Sequence, residues 1–344
     1  MEAELTTAVT PMPLMKLTSG VYGFKTLALA DRLGLFTELS GGRETSVAEF
    51  AARHGIQQRP AELLLTACTA LGLLEQRGDG QYRNTAMSEE YLVEGRPYYF
   101  GGWIKVVDLH EYPAYQRLES SLRGDHPASW DVARQESLFT PDDPIVRDLF
   151  WGGMYSLSSY TATRLATVFD FGGVRRLLDV GGGGAAYDIE LCRAYDHLQA
   201  TVFDLPFVCD LTRERVTSAG MGDRIDFVAG DFFADPLPRG HDAILLSNIL
   251  HDWAEPDVRR ILAVCAQALE SDGHLLICES FVADDKSGPP LAALMSLNML
   301  VETWGRNYTA AEYARWIRDA GLETEGVRPF TGPGANGVLV ARKP

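Results

Sequence analysis

The second half of the chain consists of short apolar runs that alternate with amphipathic stretches, and this rhythm limits the possible folds more than any other feature of the sequence. Each run has the length of a buried strand, and the stretch after it has the length of a helix. Strands that alternate with helices form a largely parallel sheet with both faces covered. The sequence therefore predicts an α/β fold from residue 175 onward, with strands at 176–180, 200–204, 225–228, 243–246, 274–278 and 337–341.

The first half of the chain has apolar residues at helical spacing, from residue 14 to about residue 135. Helices are predicted at residues 45–54 and 59–74, and a glycine turn at 78–80 joins two short segments after them. Two helices followed by a small hairpin are the outline of a winged helix, which often binds DNA. Because the second helix has one basic residue, Arg59, in its first turns and a broad apolar face, we expect it to pack against protein in dimerisation or as a lid.

Composition excludes several classes of partner. The formal net charge of −16 repels the phosphate backbone of nucleic acids. Apolar runs are too short to span a membrane, and Glu2 and Glu4 stand where a secretory signal would carry basic residues. The five cysteines form no Cys-x-x-Cys pair, and the seven histidines lack compact metal-ligand spacing. We therefore expect a soluble cytoplasmic protein with buried, reduced thiols, no metal, and no nucleic-acid or membrane partner.

The predicted strands end in glycine and acidic residues, and ligands of open α/β sheets bind at that edge. Asp179 ends the first strand and precedes four glycines, which permit a tight turn and a close approach to a ligand. Asp204 ends the second strand, where a carboxylate can accept both hydroxyls of a ribose. After the third strand, Asp231 and Phe232 offer a carboxylate for an amine and a ring for adenine. These residues predict an adenosine-containing ligand, and the lack of a P-loop lysine disfavours a phosphate-rich one.

Five short motifs follow one another between Leu177 and Lys343: Leu-Asp-Val-Gly-Gly-Gly, Phe-Asp-Leu-Pro, Gly-Asp-Phe-Phe, His-Asp-Trp and Cys-Glu-Ser. In this order and spacing they closely resemble the class I S-adenosylmethionine-dependent O-methyltransferases of the plant caffeic-acid and bacterial natural-product type. The winged-helix outline of the first half resembles the dimerisation domain of that family. The resemblance implies a homodimer with a mostly helical winged-helix dimerisation domain at residues 1–110. It implies linking helices and a Rossmann-like methyltransferase domain at residues 111–344.

The resemblance also assigns the cofactor site. S-adenosylmethionine, which leaves as S-adenosylhomocysteine, is expected at the carboxyl edge of the sheet. Ala185 departs from the family pattern, since it stands where the loop usually has a further glycine. The residues implied in cofactor binding are Asp179, Gly181, Gly183, Asp204, Leu205, Asp231, Phe232, Ser247, Asn248 and Trp253.

Methyl transfer requires that the acceptor lie in line with the methyl group and that one proton leave it. Histidine suits this proton transfer because its pKa lies near neutrality. The resemblance implies that His251 is the general base and that Glu279 orients it by accepting from its other ring nitrogen. Asp252 is expected to cap a helix or contact the cofactor. Asn307 stands where plant members often have a second glutamate, and it can hydrogen-bond the imidazole without stabilising its charge.

Acceptor contacts are implied at Phe150, Met154, Asn298 and Met299, and aromatic and thioether groups of this kind suit a flat ring. The same residues at helical spacing also fit an ordinary helix core. Trp304 replaces a small residue of the family turn, which indicates a pocket shaped for a particular acceptor. The sequence thus predicts methyl transfer to a hydroxyl of a small aromatic acceptor, with methylation of an aromatic or activated carbon as the alternative.

Three other functions compete with methyl transfer. A glycine loop with a later acid also fits the nicotinamide ribose of an NAD-dependent oxidoreductase, although the helical first half and His-Asp-Trp oppose it. A cofactor-binding regulator without transfer chemistry is disfavoured by the presence of both His251 and Glu279. A DNA-binding regulator built on the winged helix is opposed by the net charge.

Overall fold

A computed structural model gives the structure of the chain and describes residues 10–135, 137–139 and 149–344. Glu2 and Glu4, used above to argue against a secretory signal, lie outside these ranges. The chain divides into two compact units, Met1–Ile104 and Lys105–Pro344. Among the described helices, none combines the length and apolar character needed to cross a membrane.

Helices and a small hairpin form the first unit: α1 (Met12–Arg32), α2 (Leu35–Glu38), α3 (Val47–His54), α4 (Gln58–Ala70), β1 (Leu74–Gln76), β2 (Tyr82–Asn84) and α5 (Ala86–Tyr91). Helix α3 begins as predicted, because Ser46 Oγ accepts the Glu49 N–H at 3.2 Å and Glu49 Oε2 accepts the Ser46 N–H at 2.8 Å. The predicted helix over residues 59–74 is too long at its end. Gly72 takes a left-handed conformation with φ 72°, which ends the helical turn and lets the chain enter β1.

Short helices precede the sheet of the second unit. They are α6 (Gly101–Val106), which contains the boundary between the units, a π-helix (Val107–Glu111), α7 (Tyr112–Tyr115), α8 (Leu118–Gly124), α9 (Trp151–Val168) and a 3-10 turn (Phe171–Gly173). A π-helix within a helical run widens the turn and is often found at functional sites. This one brings His110 and Glu111 into the second unit's interior, as described below.

The sheet of the second unit has seven strands in the order β5-β4-β3-β6-β7-β9-β8. The first five are parallel, and β9 and β8 complete the sheet with antiparallel pairings. This confirms the predicted α/β class with a largely parallel sheet. The strands are β3 (Arg176–Val180), β4 (Gln199–Asp204), β5 (Ile225–Ala229), β6 (His241–Ser247), β7 (Leu269–Glu279), β8 (Glu323–Pro329) and β9 (Gly337–Arg342).

Strand β8 is absent from the prediction. Its sequence is mostly polar, and its residues alternate only between exposed and half-buried positions, as expected of a strand at the sheet edge. The helices that cover the sheet are α10 (Ala186–Ala194), α11 (Pro206–Ser218), α12 (Glu255–Ala268), α13 (Pro290–Glu302) and α14 (Ala310–Asp319), and a 3-10 turn (Leu250–Asp252) follows β6.

The strand order reverses at β3, which lies between β4 and β6. The crossover helices on the two sides of this point lie on opposite faces of the sheet, which leaves a crevice at its carboxyl edge. Asp179, Asp204, Ser247 and Glu279 end the strands or lie one residue from their ends at this edge. The fold therefore brings these four residues to the same edge of the sheet.

The cysteines are all free and buried, as predicted. Burial raises the pKa of Cys68, Cys192, Cys265 and Cys278 to about 12, and it also raises the pKa of Cys209. All five therefore remain neutral thiols at physiological pH and act as core residues.

Candidate functional site

The glycine loop between β3 and α10 has a backbone that few side chains permit. Gly181 and Gly183 have φ values of 75° and 53°. A Cβ atom on Gly181 would collide with the Ile249 side chain, and one on Gly182 would lie 2.8 Å from an Asp179 carboxylate oxygen. Ala185, which the family resemblance singles out, keeps the left-handed conformation of a glycine with φ 56°. The loop thus retains its turn at an expected cost of roughly 1 kcal/mol for the methyl group.

Asp204 fixes this loop to the end of β4. Its carboxylate accepts the N–H of Gly183 at 2.8 Å and the N–H of Leu205 at 2.7 Å. Burial raises the pKa of Asp204 to about 6, against the two backbone hydrogen bonds, which lower it. The Asp204 side chain therefore lies at the end of β4, directly against the glycine loop.

The residues after β5 and β6 form an aromatic wall. Phe232 and Phe233 each pack edge-to-face on Trp253, with ring centroids 5.8 and 4.7 Å apart. Asp231 caps its own turn by accepting the N–H of Phe233 at 2.8 Å. Phe232, Asp231 and Trp253 thus all lie at the carboxyl edge of the sheet.

One polar group at the end of β6 lacks a partner within the described part of the chain. The side-chain amide nitrogen of Asn248 is buried without a hydrogen bond. Asn248 also has a left-handed backbone, with φ 53°, although it is not a glycine. Buried polar groups are nearly always satisfied, so this amide fits a polar ligand that accepts its hydrogen bonds.

Sequence reasoning missed a second acid beneath the glycine loop. Asp188, on α10, is fully buried and lies beside Asp179, and the two carboxyl groups share a hydrogen bond. Burial raises the pKa of Asp188 to about 6, and burial with the charge of Asp188 raises that of Asp179 well above its usual range. Two adjacent buried carboxyl groups cannot both ionise cheaply, so the pair holds a proton. No local sequence signal marks Asp188, because it lies inside a helix.

His251 and Glu279 form the central pair of the site. His251 Nδ1 lies 2.7 Å from Glu279 Oε2, and Glu279 Oε1 accepts the N–H groups of Ile249 and Leu250 at 3.1 Å. Glu279 thus uses both oxygens to hold the imidazole and the turn that carries it. Since Nδ1 donates to Glu279, Nε2 is the nitrogen left to accept a proton.

The charges around His251 determine its basicity. Burial by itself would lower the pKa of His251, but Glu279 and Asp252 raise it to about 9. Asp252 Oδ1 lies 3.7 Å from His251 Nε2, and burial raises the pKa of Asp252 to about 7. Two carboxyl groups therefore stabilise the imidazolium, so the histidine is a strong base once neutral.

Among the described residues, Asn307 forms hydrogen bonds to helix α13, whereas the sequence predicts a hydrogen bond to the His251 imidazole. Its side-chain amide donates to the carbonyl of Ala292 at 3.2 Å, and its backbone N–H donates to Ser296 Oγ. Both partners lie on α13. Within the described chain, the structure records no hydrogen bond from Asn307 to His251, and its Oδ1 is buried without a partner.

The predicted acceptor residues lie in α9, α13 and the turns beside them. Phe150 packs edge-to-face on Trp151 with ring centroids 5.3 Å apart, and Met154 lies half-buried one turn later. Met299 and Asn298 are buried on α13. Trp304 is 51% exposed, and its ring centroid lies 6.5 Å from that of Trp130, so about half of the residue is open to solvent.

A second histidine–glutamate pair lies in the same unit, and sequence reasoning missed it. His110 Nε2, on the π-helix, lies 2.8 Å from Glu302 Oε2, on α13, and both side chains are buried. Next to it, Asn298 donates to Glu111 Oε1 at 2.9 Å. The partners are 192 residues apart in the chain, so no spacing rule could find them.

The Asp179–Asp188 pair predicts how stability depends on pH. The folded-state pKa values of both carboxyl groups exceed the unfolded value of 3.8, so the folded protein keeps these protons after the unfolded chain has released them. The free energy of unfolding therefore falls as the pH rises through the folded-state values, and the pair is least favourable above pH 6. Asp188→Asn removes one charge and keeps a donor for Asp179. We expect it to raise the Tm at pH 8 by roughly 5 °C and to change it little at pH 5, as measured by calorimetry. Asp210→Asn, an exposed control, should change neither value, and a lower Tm for Asp188→Asn at pH 8 would contradict this account.

Two family models together match most of the chain. Residues 115–323 match the O-methyltransferase domain, and residues 15–94 match the O-methyltransferase dimerisation domain. The first of these matches covers more than half of the chain by itself. The two models follow one another in the order that the sequence predicts for the two domains.

Individual proteins agree with the family models. The chain is 52% identical to a 3-hydroxy-5-methyl-1-naphthoate 3-O-methyltransferase of Streptomyces sahachiroi, over 97% of this chain and 95% of the relative. It is 34% identical to the tetracenomycin polyketide synthesis 8-O-methyltransferase of Streptomyces glaucescens, over 97% of both chains. The crystal structure of human N-acetylserotonin methyltransferase in complex with SAM superposes with a TM-score of 0.83 at 29% identity, covering 100% of this chain and 99% of that one. The chain therefore belongs to the O-methyltransferase family.

Proposed function

We propose that this chain transfers the methyl group of S-adenosylmethionine to a hydroxyl of a small aromatic acceptor, with His251 as the general base. Membership of the family makes the chain a methyltransferase, and S-adenosylmethionine is its methyl donor. The observation that carries the role of His251 is the 2.7 Å contact between its Nδ1 and Glu279, which leaves Nε2 as the proton acceptor.

The residues at the carboxyl edge fit the donor. Asp204, beside the glycine loop, would accept from the ribose, and Asp231 with Phe232 would hold the adenine. The unpartnered side-chain amide nitrogen of Asn248 provides a polar contact that the described part of the protein does not itself satisfy. When bound, the donor supplies a methyl group on a positively charged sulfur, which is already a good leaving group.

The protein's own chemical task is then alignment and the removal of one proton. His251 Nε2 would accept the proton of the acceptor hydroxyl. The oxygen lone pair would then take the methyl group as the carbon–sulfur bond breaks and its electron pair stays on the sulfur. Glu279 and Asp252 stabilise the imidazolium that results. A phenol has a pKa near 10, close to the value of about 9 for His251, so this transfer is nearly balanced in energy.

An aromatic acceptor is supported by two observations. The Streptomyces sahachiroi relative acts on a hydroxylated naphthoate, and the Streptomyces glaucescens relative acts in polyketide synthesis. In the present chain, Phe139, Phe150, Trp151 and Trp253 form an aromatic cluster next to the carboxyl edge, with neighbouring centroids 5.3 to 6.5 Å apart. Methylation at a ring carbon remains the alternative, and nuclear magnetic resonance of the product separates a methoxy group from a C-methyl group.

The dimerisation domain supports a homodimer. On α1, the side chains of Met12, Leu14, Leu17 and Tyr22 are each more than half exposed, which is an unusual amount of apolar surface for one helix. A second copy of the chain would cover it. These four side chains of α1 are thus the surface through which we expect the homodimer to form.

The role of His251 predicts a large kinetic effect. His251→Ala removes the base, so we expect kcat for a hydroxynaphthoate acceptor to fall by roughly two to four orders of magnitude, as measured by mass spectrometry with isotopically labelled donor. Binding of S-adenosylhomocysteine, measured by calorimetry, should persist. His274→Ala, which alters a partly exposed histidine beside Glu325, serves as the control. An undiminished rate in His251→Ala would exclude the histidine as the base.

The raised pKa of His251 predicts the pH dependence of the reaction. Only neutral imidazole accepts the proton, so kcat/KM should rise roughly tenfold per pH unit from pH 7 and level off near 9. Asp252→Asn removes one of the two carboxyl groups that raise this pKa, so the plateau should begin at lower pH. Ionisation of the acceptor itself is the same for both proteins and cancels in the comparison. Identical profiles for the two proteins would show that Asp252 does not tune the base.

In the proposed dimer, the exposed apolar side chains of α1 contact the second copy of the chain. Light scattering should give twice the mass of one chain, and Leu17→Glu should shift the protein towards the monomer, because it buries a charge in the contact. Leu211→Glu, at an exposed leucine of α11, is the matched control. A monomeric mass for the unaltered protein would end the proposal.

A further inference from the structure

Asn336, the residue before β9, uses each of its polar groups in a hydrogen bond. Its backbone N–H donates to the carbonyl of Glu279 at 3.1 Å, and its backbone carbonyl accepts the N–H of Phe330 at 3.1 Å. Its side-chain Oδ1 accepts the N–H of Phe281, and its Nδ2 donates to the carbonyl of Phe281, both at 2.9 Å. Asn336 therefore connects the residue after β8 to the segment that follows β7.

The two side-chain bonds of Asn336 continue the sheet beyond its last regular pair. Strands β7 and β9 pair in antiparallel fashion up to Glu279, which lies opposite Gly337. A side-chain amide carries the same donor and acceptor as a peptide group, so Asn336 pairs with Phe281 as a further strand residue would. The backbone beyond Glu279 is thus held where the regular ladder has already ended.

Glu279 is the residue of the site that depends on this pairing. It is the last residue of β7, and strand ends open more readily than strand interiors. Its carboxylate lies 2.7 Å from His251 Nδ1 and accepts the N–H groups of Ile249 and Leu250. Because a side chain follows its backbone, the bonds from Asn336 on either side of Ser280 fix the Glu279 carboxylate relative to the imidazole.

Other contacts hold the same segment and limit the expected effect of losing the Asn336 amide. The ring of Phe281 is buried and packs edge-to-face on Tyr313, with centroids 5.9 Å apart. The N–H of Val282 donates to the carbonyl of Tyr308 at 3.3 Å. Loss of the Asn336 side chain should therefore loosen the backbone around Glu279 without unfolding it.

The charged and titratable groups that act on the base come from several elements. Glu279 of β7 and Asp252 of the catalytic turn stabilise the imidazolium of His251. Glu302 of α13 acts on Asp252 through its charge. Tyr313 of α14 stays neutral, because burial and nearby carboxylates raise its pKa well above the ordinary value. Glu279 is the carboxylate at 2.7 Å from the imidazole, so its position affects the basicity of His251 most directly.

We propose that Asn336 is a positioning residue of the methyl-transfer reaction, whose side-chain amide holds the backbone around Glu279 and so keeps the Glu279 carboxylate on His251. This rests on the proposed function, because it takes His251 as the general base. The effect is indirect, since Asn336 bonds to the backbone of Glu279 and Phe281, and the Glu279 side chain bonds to the base.

Asp242 provides a matched control for a purely structural effect. It lies in β6 at the opposite, amino edge of the same sheet and is half-buried, as Asn336 is. Its carboxylate accepts the N–H groups of Arg175 and Arg176 at 3.0 and 2.7 Å. Asp242→Ala thus removes two bonds from a side chain to the backbone without touching the turn that carries His251.

The test measures the basicity and the turnover of the Asn336 variants. In Asn336→Ala, the pKa of His251, followed by nuclear magnetic resonance of the histidine rings, should fall by about one unit because Glu279 holds the imidazole less closely. On the pH plateau, kcat should fall roughly 10- to 100-fold through misalignment of the base. Asn336→Gln keeps the amide on a longer side chain, so both values should lie between those of Asn336→Ala and the unaltered protein. Asp242→Ala should lower the Tm but change neither value.

Binding of S-adenosylhomocysteine, measured by calorimetry, shows which variants remain folded, and the His251→Ala spectrum identifies the signal of His251. An unchanged pKa of His251 and an unchanged kcat in a folded Asn336 variant would overturn the inference, as would equal changes in Asp242→Ala. If Asn336→Ala does not fold, the same comparison is made with Asn336→Gln. An undiminished rate in His251→Ala would instead refute the proposed function, so the two failures are distinguishable.

Discussion

The carboxylate of Glu279 holds the site together. One oxygen accepts two backbone N–H groups from the turn after β6, and the other holds His251 Nδ1. A single side chain at the end of β7 therefore fixes the backbone after the neighbouring strand, the orientation of the imidazole and its tautomer. Because the parallel pairing of β6 and β7 sets the distance between the two strand ends, the geometry of the base follows from the sheet.

Several buried carboxyl groups lie at the carboxyl edge of the sheet, and each is stabilised by different neighbours. Asp204 is stabilised by two backbone N–H groups, Glu279 by two more and by His251, and Asp179 shares its surroundings with Asp188. A ligand with a positively charged sulfonium suits such an edge better than a phosphate does. The electrostatics of the crevice thus agree with the methyl donor of the family.

The strand ends were predictable from the sequence because the apolar runs have the length of strands and alternate with stretches of helical length. Asp179, Asp204 and His251 lie at or just after the ends of such runs. Asp188 and Glu302 were not predictable, since each lies within a helix and acquires its role from a partner that is distant in sequence or on another element. Asn307 illustrates the limit of resemblance: its position in the turn is that of the family, but its amide bonds to α13.

The central claim is that His251 Nε2 takes the proton of the acceptor hydroxyl. A crystal structure of the chain with S-adenosylhomocysteine and a hydroxylated naphthoate tests it most directly. The account predicts an acceptor hydroxyl within about 2.6–3.2 Å of His251 Nε2, with Nδ1 still bound to Glu279. An acceptor bound in line with the sulfur of the cofactor, but with its hydroxyl out of hydrogen-bond reach of His251, would contradict it.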